Sequence, residues 1–492
     1  MDNVSTLYNI DKQFSPAKLT ADVAAGCFIS HRENYKGKFG DARLDKRAGD
    51  ISSMLHFNQS SSIHGITRNE AEQRATYRFL SNDNVTEKIL IDTVCEKSGI
   101  LCVDKDILCI TDTTELNFEN HRNRLKSGTG IGLTGNNKDL GFFMHSSLVL
   151  DSDAEIILGI SDIQLWARPE DKKSKKGFDN KTIPIEEKES NKWLTAGRAS
   201  KKQLSAARSI TMIEDREGDI YEQFALIPDH QTHLIIRNRA NRKLSTGQWL
   251  FNCLSGQPPA GRYDIDLVHD IDNRKGIEKR IAEVEVRYCK VSIKKPADHV
   301  KKDLVANVEV NAVEVKEMTS GIKRPILWRI LTTHKVENYE DAVKIINKYR
   351  LRWYIEQLHR LIKKKGFAIE SSELESGWAL RKLTVMILNS SLRVMQLLLA
   401  FDNKESQPIE QVFDEPEIEC LKKLNNKYEG ATEKLKNKND PQTLAWAVWV
   451  IAKLGGWKDT NKRRPPGPIT LKRGLDKFND IHMGWKLAVE DT

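Results

Sequence analysis

The stretch "YRLRWYIEQLHRLIKKKG", Tyr349 to Gly366, sets one carboxylate among cations and large aromatics. At about 100° per residue, Tyr349, Arg352, Trp353, Glu356, His359 and Lys363 fall within an arc of roughly 120°. Leu351, Ile355, Leu358 and Ile362 line another side. The spacing predicts one continuous helix, anchored in a core by its apolar side and presenting a second, reactive face. Charges on a helix ordinarily form solvated i,i+4 pairs, and Arg352 and Glu356 have that spacing. Two aromatics in the same stripe are what such a surface does not explain.

Two further acids close short β-rich runs: Asp112 ends "DILCITD" and Asp215 ends "SITMIED". Aspartate is common where strands meet turns, so each alone says little. With Glu356 they make three acids from distant positions, the donor set that hard divalent cations take. Two Mg²⁺ or Mn²⁺ ions held this way activate an attacking oxygen and stabilise a leaving one at a phosphodiester. Around such a centre Arg and Lys would hold phosphates, and aromatics would stack a base.

The elements that must position these residues follow from periodicity. The segment to about residue 100 reads as short helices: "DARLDKRAGDISSML", "TRNEAEQRATYRFL" with a cap near Thr67, and "EKILIDTVCEK" capped by Thr86 or Asn84. They suit either a helix-turn-helix-like DNA reader or a small bundle. A strand through Asp112 follows, then a hairpin of "FFMHSSLVL" and "EIILGISDIQLW" about the turn "DSDA", a helix near residues 187–207, and a strand ending at Asp215. That order gives a mixed sheet with Asp112 and Asp215 at the ends of neighbouring strands. Residues 233–333 alternate in β fashion ("HLIIRNR", "YDIDLVH", "IAEVEVRYCKVSI", "NVEVNAVEV", "ILWRILTT"), which predicts an antiparallel insertion. From about residue 380 the pattern is helical again.

Composition sets the limits. A chain of 492 residues exceeds one ordinary core, so two to four domains are expected. Lys and Arg number 78 against 69 Asp and Glu, a net +9 that favours a polyanionic partner without establishing one. Local basic runs stand at "KKSKK" (172–176), "IIRNRANRK" (235–243) and "NKRR" (461–464). Seven scattered cysteines form no disulfide framework, and Cys95, Cys102 and Cys109 lack the CxxC spacing or His pair of a zinc site. No signal peptide is expected. The most apolar stretch, Leu383 to Phe401, contains Asn389 and Arg393, so a buried helix is expected rather than a membrane span. A soluble, cytoplasmic protein is expected.

Tyr349, Arg352, Glu356 and Lys363 fit Y-x2-R-x3-E-x6-K, the YREK signature. With "ITDTTEL" around Asp112 and "IEDREGDI" around Asp215, the chain resembles the cut-and-paste DDE transposases of bacterial insertion sequences (IS-four type). "GDARLDKR" and "ATYRFLSN" resemble the family's N-terminal DNA-end-binding part, "EKESNKWL" its core, and "TLAWAVWVIAKLGGW" with the following "PGP" its C-terminal part. One departure follows the signature, where Lys363 is succeeded by Lys364 and Lys365 before Gly366.

The resemblance implies an α/β fold. A ribonuclease-H-like core (residues 101–232 and 334–379) would be interrupted by the antiparallel β insertion (233–333). An N-terminal helical DNA-end-binding domain (1–100) and a C-terminal helical dimerisation domain (380–492) would flank it. It implies that Asp112, Asp215 and Glu356 bind two Mg²⁺ or Mn²⁺ ions, and that Tyr349, Arg352 and Lys363 hold a phosphate near the transposon end. Trp328 matches the residue that stacks a flipped-out base, though a core tryptophan would read the same. Arg237, Arg239 and Arg242 match a basic stretch, and Trp353 and His359 are placed on DNA with them. The implied partners are double-stranded DNA (transposon ends and target) and a second copy in a paired-end homodimer, with no membrane. The place is a bacterial cytoplasm, associated with the nucleoid. The implied reaction cuts each end, passes through a hairpin and joins the 3′ ends to target DNA. A non-catalytic DNA-binding regulator and another two-metal nuclease remain the competing readings.

Overall fold

The computed structural model describes residues 33–153, 156–169, 183–266, 281–301, 303–322, 325–363, 366–402, 407–458 and 465–490. The basic runs at 172–176 and 461–464, and residue 154 of the expected hairpin turn, lie outside them.

Among the described residues four helices come first: α1 (Ala42–Asn58), α2 (Ile63–Ile66), α3 (Glu70–Leu80) and α4 (Glu87–Leu101). Their starts are set by side chains that take up orphan N–H groups. Asp41 accepts from Arg43, and Thr86 accepts from Ile89 at 3.2 Å. At α3 the cap is Asn69, accepting from Glu72 at 2.9 Å, two residues beyond the expected Thr67.

Ten strands then build one sheet: β1 (Asp106–Asn117), β2 (Gly132–Leu133), β3 (Leu140–Asp151), β4 (Ile156–Trp166), β5 (Ser209–Glu214), β6 (Thr232–Arg237), β7 (Gly261–Asp266), β8 (Ile281–Lys294), β9 (Asn307–Glu317) and β10 (Leu327–Thr332). Helices α5 (Asn191–Gln203) and α6 (Tyr221–Leu226) carry the crossovers from β4 to β5 and from β5 to β6, and α7 (Leu250–Ser255) follows β6. β3 pairs antiparallel with β1 and β4, whereas β5 runs parallel to β1, and β6 parallel to β5. The order β4-β3-β1-β5-β6, three meander strands followed by two parallel ones, is that of a ribonuclease-H-like core. The expected hairpin is therefore present as β3–β4.

The insertion is antiparallel, but it begins later than residue 233 and forms no separate sheet. β6 belongs to the core through its parallel pairing with β5, and β10 returns antiparallel onto β6. β9, β8 and β7 extend outward from β10. The alternating pattern of residues 233–237 could not reveal this, because a strand's own sequence does not say which neighbour it will pair with.

Alternate residues of β1 enter two different cores. Leu108 and Ile110 pack into the larger one, while Ile107 and Cys109 pack into a second with Leu194 of α5 and Phe224 of α6. The larger core takes the remaining helices: α8 (Tyr339–Arg350), α9 (Trp353–Ile362), α10 (Gly377–Asp402), α11 (Glu415–Tyr428), α12 (Leu444–Leu454) and α13 (Pro468–Glu490). α10 is long and apolar enough to cross a membrane, and its apolar window is 94% buried inside the fold. It also ties the N-terminal helices down. Arg381 pairs with Glu87 at 2.8 Å, Lys382 donates to the carbonyls of Leu80 and Asn82, and the buried Arg393 meets His56 and Glu417.

Candidate active site

The site starts from strand register. Ile110 of β1 lies beside Ile213 of β5, both in the larger core. Two residues further on come Asp112 and Asp215; Asp112 does not end its strand as expected, since β1 stays paired with β3 as far as Asn117, whereas Asp215 lies one residue past the end of β5. Asp215 organises the turn in which β5 ends, its Oδ1 accepting the N–H of Glu217 at 2.7 Å. The third acid arrives on α9, which packs against β1.

The expected single helix over residues 349–366 is broken. α8 ends at Arg350, α9 starts at Trp353 and ends at Ile362, and Lys363 lies past its end. At the joint, the N–H groups of Leu351, Arg352, Tyr354 and Ile355 bond carbonyls three residues back rather than four. This tighter turn advances about 120° per residue instead of 100° and shifts the phase of everything beyond it. The predicted common face is therefore divided. Tyr349 is 5% exposed and His359 6%. Trp353 is half-buried, with its ring 4.5 Å from that of Tyr354.

At the joint itself Arg352 reaches both acids. Its Nη1 donates to Asp112 Oδ2 at 2.9 Å, and its Nη2 pairs with Glu356 Oε1. The Asp112 side chain is 17% exposed and that of Glu356 52%. Burial pushes the Asp112 carboxyl up to about 7; Arg352 opposes the shift, and the charges of Asp215 and Glu356 add to it. Asp215 is also raised, first by burial, against the Glu217 N–H and Arg352. Burial works against the charge of Arg352, but Tyr349, Glu356 and Asp112 more than offset it and hold the guanidinium above its ordinary value. Three carboxylates thus crowd one cation.

Trp328 and Tyr349 complete one wall, in edge-to-face contact at 5.8 Å. Tyr349 is hydrogen-bonded to Arg237, whose guanidinium is lowered by burial. Arg237, Trp328, Tyr349 and Arg352 are therefore brought together from β6, β10 and the α8–α9 joint. Arg239 is exposed beyond β6.

Two residues placed on DNA by the sequence reading lie elsewhere. The Nε2 of His359 is 3.1 Å from Ser146 Oγ inside the core, and burial, then Lys363 and Arg352, push its pKa down to about 3. A neutral, enclosed imidazole presents no cation to a phosphate. Arg242 is bound to Asp219 through Nε at 3.0 Å, and its Nη2 donates to the Asp219 carbonyl at 2.7 Å. Its side chain is 10% exposed and that of Asp219 fully buried.

As metal donors the acids fit in kind: oxygen ligands only, crowded enough that one of them resists ionising. They do not form a closed ligand set in this arrangement. Among the described residues no three His, Cys, Asp or Glu side chains are grouped to hold a metal ion. Arg352 stands between Asp112 and Glu356 instead. Lys192 of α5 is a neighbour that the sequence reading passed over within "EKESNKWL". Its charge reaches Asp215, and nothing in its local pattern distinguishes it from an ordinary surface lysine.

Residues 31–85 match the family model described as transposase DNA-binding. Helices α1, α2 and α3 lie within the matched span; α4 and the candidate catalytic residues lie beyond it. A cryo-EM structure of a piggyBac transposase synaptic complex with hairpin DNA is similar at a TM-score of 0.34. The identity is 7% over 77% of this chain and 75% of that one. A similarity that distant assigns no activity and no residue here.

Proposed function

We propose that this chain is a DNA transposase of the YREK, cut-and-paste kind. The observation that carries this reading is the meeting of Asp112, Asp215 and Glu356 about Arg352, in a chain whose residues 31–85 are of transposase DNA-binding type. The carboxylates of Asp112, Asp215 and Glu356 would hold two Mg²⁺ or Mn²⁺ ions. When bound, the ions supply the Lewis acidity that activates the attacking oxygen and stabilises the leaving one.

The chain's own residues do the rest. Arg352, released from Asp112 and Glu356, would hold a backbone phosphate with Tyr349 and Lys363. Trp328 offers a ring for a base turned out of the duplex, which would ease the tight bend of a hairpinned end. Arg237 and Arg239 would add positive charge for the same DNA. The N-terminal helices would recognise the terminal inverted repeats, and the same 3′ ends would be joined to target DNA. Pairing two ends calls for a homodimer through the helices after residue 380, working in a bacterial cytoplasm on nucleoid DNA.

The test is strand cleavage by purified protein on DNA carrying the inverted repeats that bracket its gene, with Mg²⁺ present. End-specific nicks, a hairpin and joined product support the reading. Specific binding without cleavage would favour a DNA-binding regulator. Cleavage indifferent to the end sequence would favour another two-metal nuclease.

A further inference from the structure

Lys192 occupies the second position of α5 and is fixed from several directions. Its Nζ lies 5.7 Å from the ring centres of both Trp166 and Trp193, and 2.9 Å from Glu217 Oε2. Its carbonyl accepts from Gln164 Nε2 at 3.0 Å, and the same amide nitrogen donates to Asp162 at 2.8 Å. The lysine side chain is 12% exposed, that of Glu217 62%. An exposed glutamate does not ordinarily hold one geometry against solvent, because its rotamer freedom outweighs a surface ion pair. Here its partner is already immobilised between two indoles, so the cost of ordering the lysine has been met by the fold.

What that pair fixes matters because of where Glu217 sits. It lies two residues after Asp215, and its backbone N–H donates to Asp215 Oδ1 at 2.7 Å. A hydrogen bond to one carboxylate oxygen sets the plane of the group and therefore the direction in which its remaining lone pairs point. Holding the Glu217 side chain holds the turn that aims this N–H.

We infer that Lys192 is a positioning residue for Asp215, acting through Glu217. The inference rests on reading Asp215 as a metal ligand.

Mn²⁺ binding to the full-length protein without DNA, followed by calorimetry, separates the two ideas. Thermal unfolding of every variant is measured alongside. Asp215→Ala should remove most of the Mn²⁺ affinity. Lys192→Met, which fills the same slot without charge, and Glu217→Ala should each weaken binding roughly tenfold, in the range seen when outer-shell partners of metal ligands are lost. Lys192→Arg, which keeps the pair, should restore affinity to near the unaltered value.

Unchanged binding by Asp215→Ala overturns the ligand reading and this inference with it. Loss in Asp215→Ala with unaltered affinity in Glu217→Ala overturns the inference alone. So does a Lys192→Met protein that melts earlier yet binds Mn²⁺ normally. Should Lys192→Met fail to fold, Glu217→Ala decides, since its side chain is exposed and little packing depends on it.

Discussion

Two aspartates four residues apart, Asp215 and Asp219, belong to the same turn and live in opposite surroundings. The Asp219 side chain is fully buried and amply supplied with donors: the side-chain amide of Asn238, the N–H groups of Arg239 and Ala240, and the Arg242 guanidinium. Asp215 shares its neighbourhood with Asp112 and Glu356 and one intervening guanidinium, and its proton affinity is raised. A carboxylate whose lone pairs are answered by N–H groups closes a structure. Carboxylates left facing one another store an unmet demand for positive charge, which a cation or a phosphate-bound metal can meet. The difference lies in the partners and not in the residue type.

The largest effect that could break this comparison is loss of chemistry. Asp112→Ala, Asp215→Ala and Glu356→Ala should each abolish detectable strand cleavage in Mg²⁺ while end binding persists in a mobility-shift assay. Any one of them that still cuts dismisses the triad. Ca²⁺, with looser coordination, should support DNA assembly without efficient cutting.

Asp219→Ala should act on stability instead. It strands the nearly buried Arg242 and removes the acceptor from two backbone N–H groups, at a cost of about 3–5 kcal/mol. Urea unfolding measures it, and a loss under 1 kcal/mol would erase the distinction between the two aspartates.

Next in size are Arg352→Ala and Lys363→Ala. A charge-assisted contact at the reacting phosphate contributes about 1.5–3 kcal/mol. Single-turnover cleavage should therefore slow roughly tenfold or more. Overall DNA affinity, spread over many phosphates, should fall much less. If Arg352 serves only its two acids, cleavage will stay near normal.

The smallest effect concerns pH. The folded Asp112 binds its proton up to about 7, against an ordinary carboxylate value of 3.8. The native state thus holds more protons than the unfolded chain in that window, and stability declines as pH rises from about 4 to about 7, then stays at the lower level. Asp112→Asn is neutral throughout. It should raise the melting temperature by roughly one to a few degrees at pH 8, and the gain should vanish near pH 4. An equal gain at both pH values would show that packing, and not charge, is responsible.

Legibility followed the range of the interaction. Asp215 could be placed at a strand end because its run declares both the strand and its terminator, and the β3–β4 hairpin was visible in its alternation. Asp112 looked like the same kind of terminator, yet β1 runs on through it to Asn117 because β3 supplies partners along that whole length, which the run itself does not encode. Asn69 displaced Thr67 as a cap because both residue types serve and only the backbone entry angle chooses. Arg237, Arg239 and Arg242 read alike in one basic run. The fold holds the first, half-buried, against Tyr349, leaves the second in solvent and commits the third to Asp219.

The sequence by itself determined which residues could do chemistry and roughly which elements carry them, since helical and strand periodicities are written in consecutive side chains. Tertiary structure alone decided the face. Changing the hydrogen-bond step from four residues to three at Leu351–Ile355 turns His359 and Tyr349 into the core and leaves Arg352 at the joint. That change is stabilised by partners far along the chain: Asp112, 240 residues before Arg352, and Ser146, 213 before His359. No local pattern encodes a partner at that separation, because the energy that selects it exists only once the sheet and the helices have met.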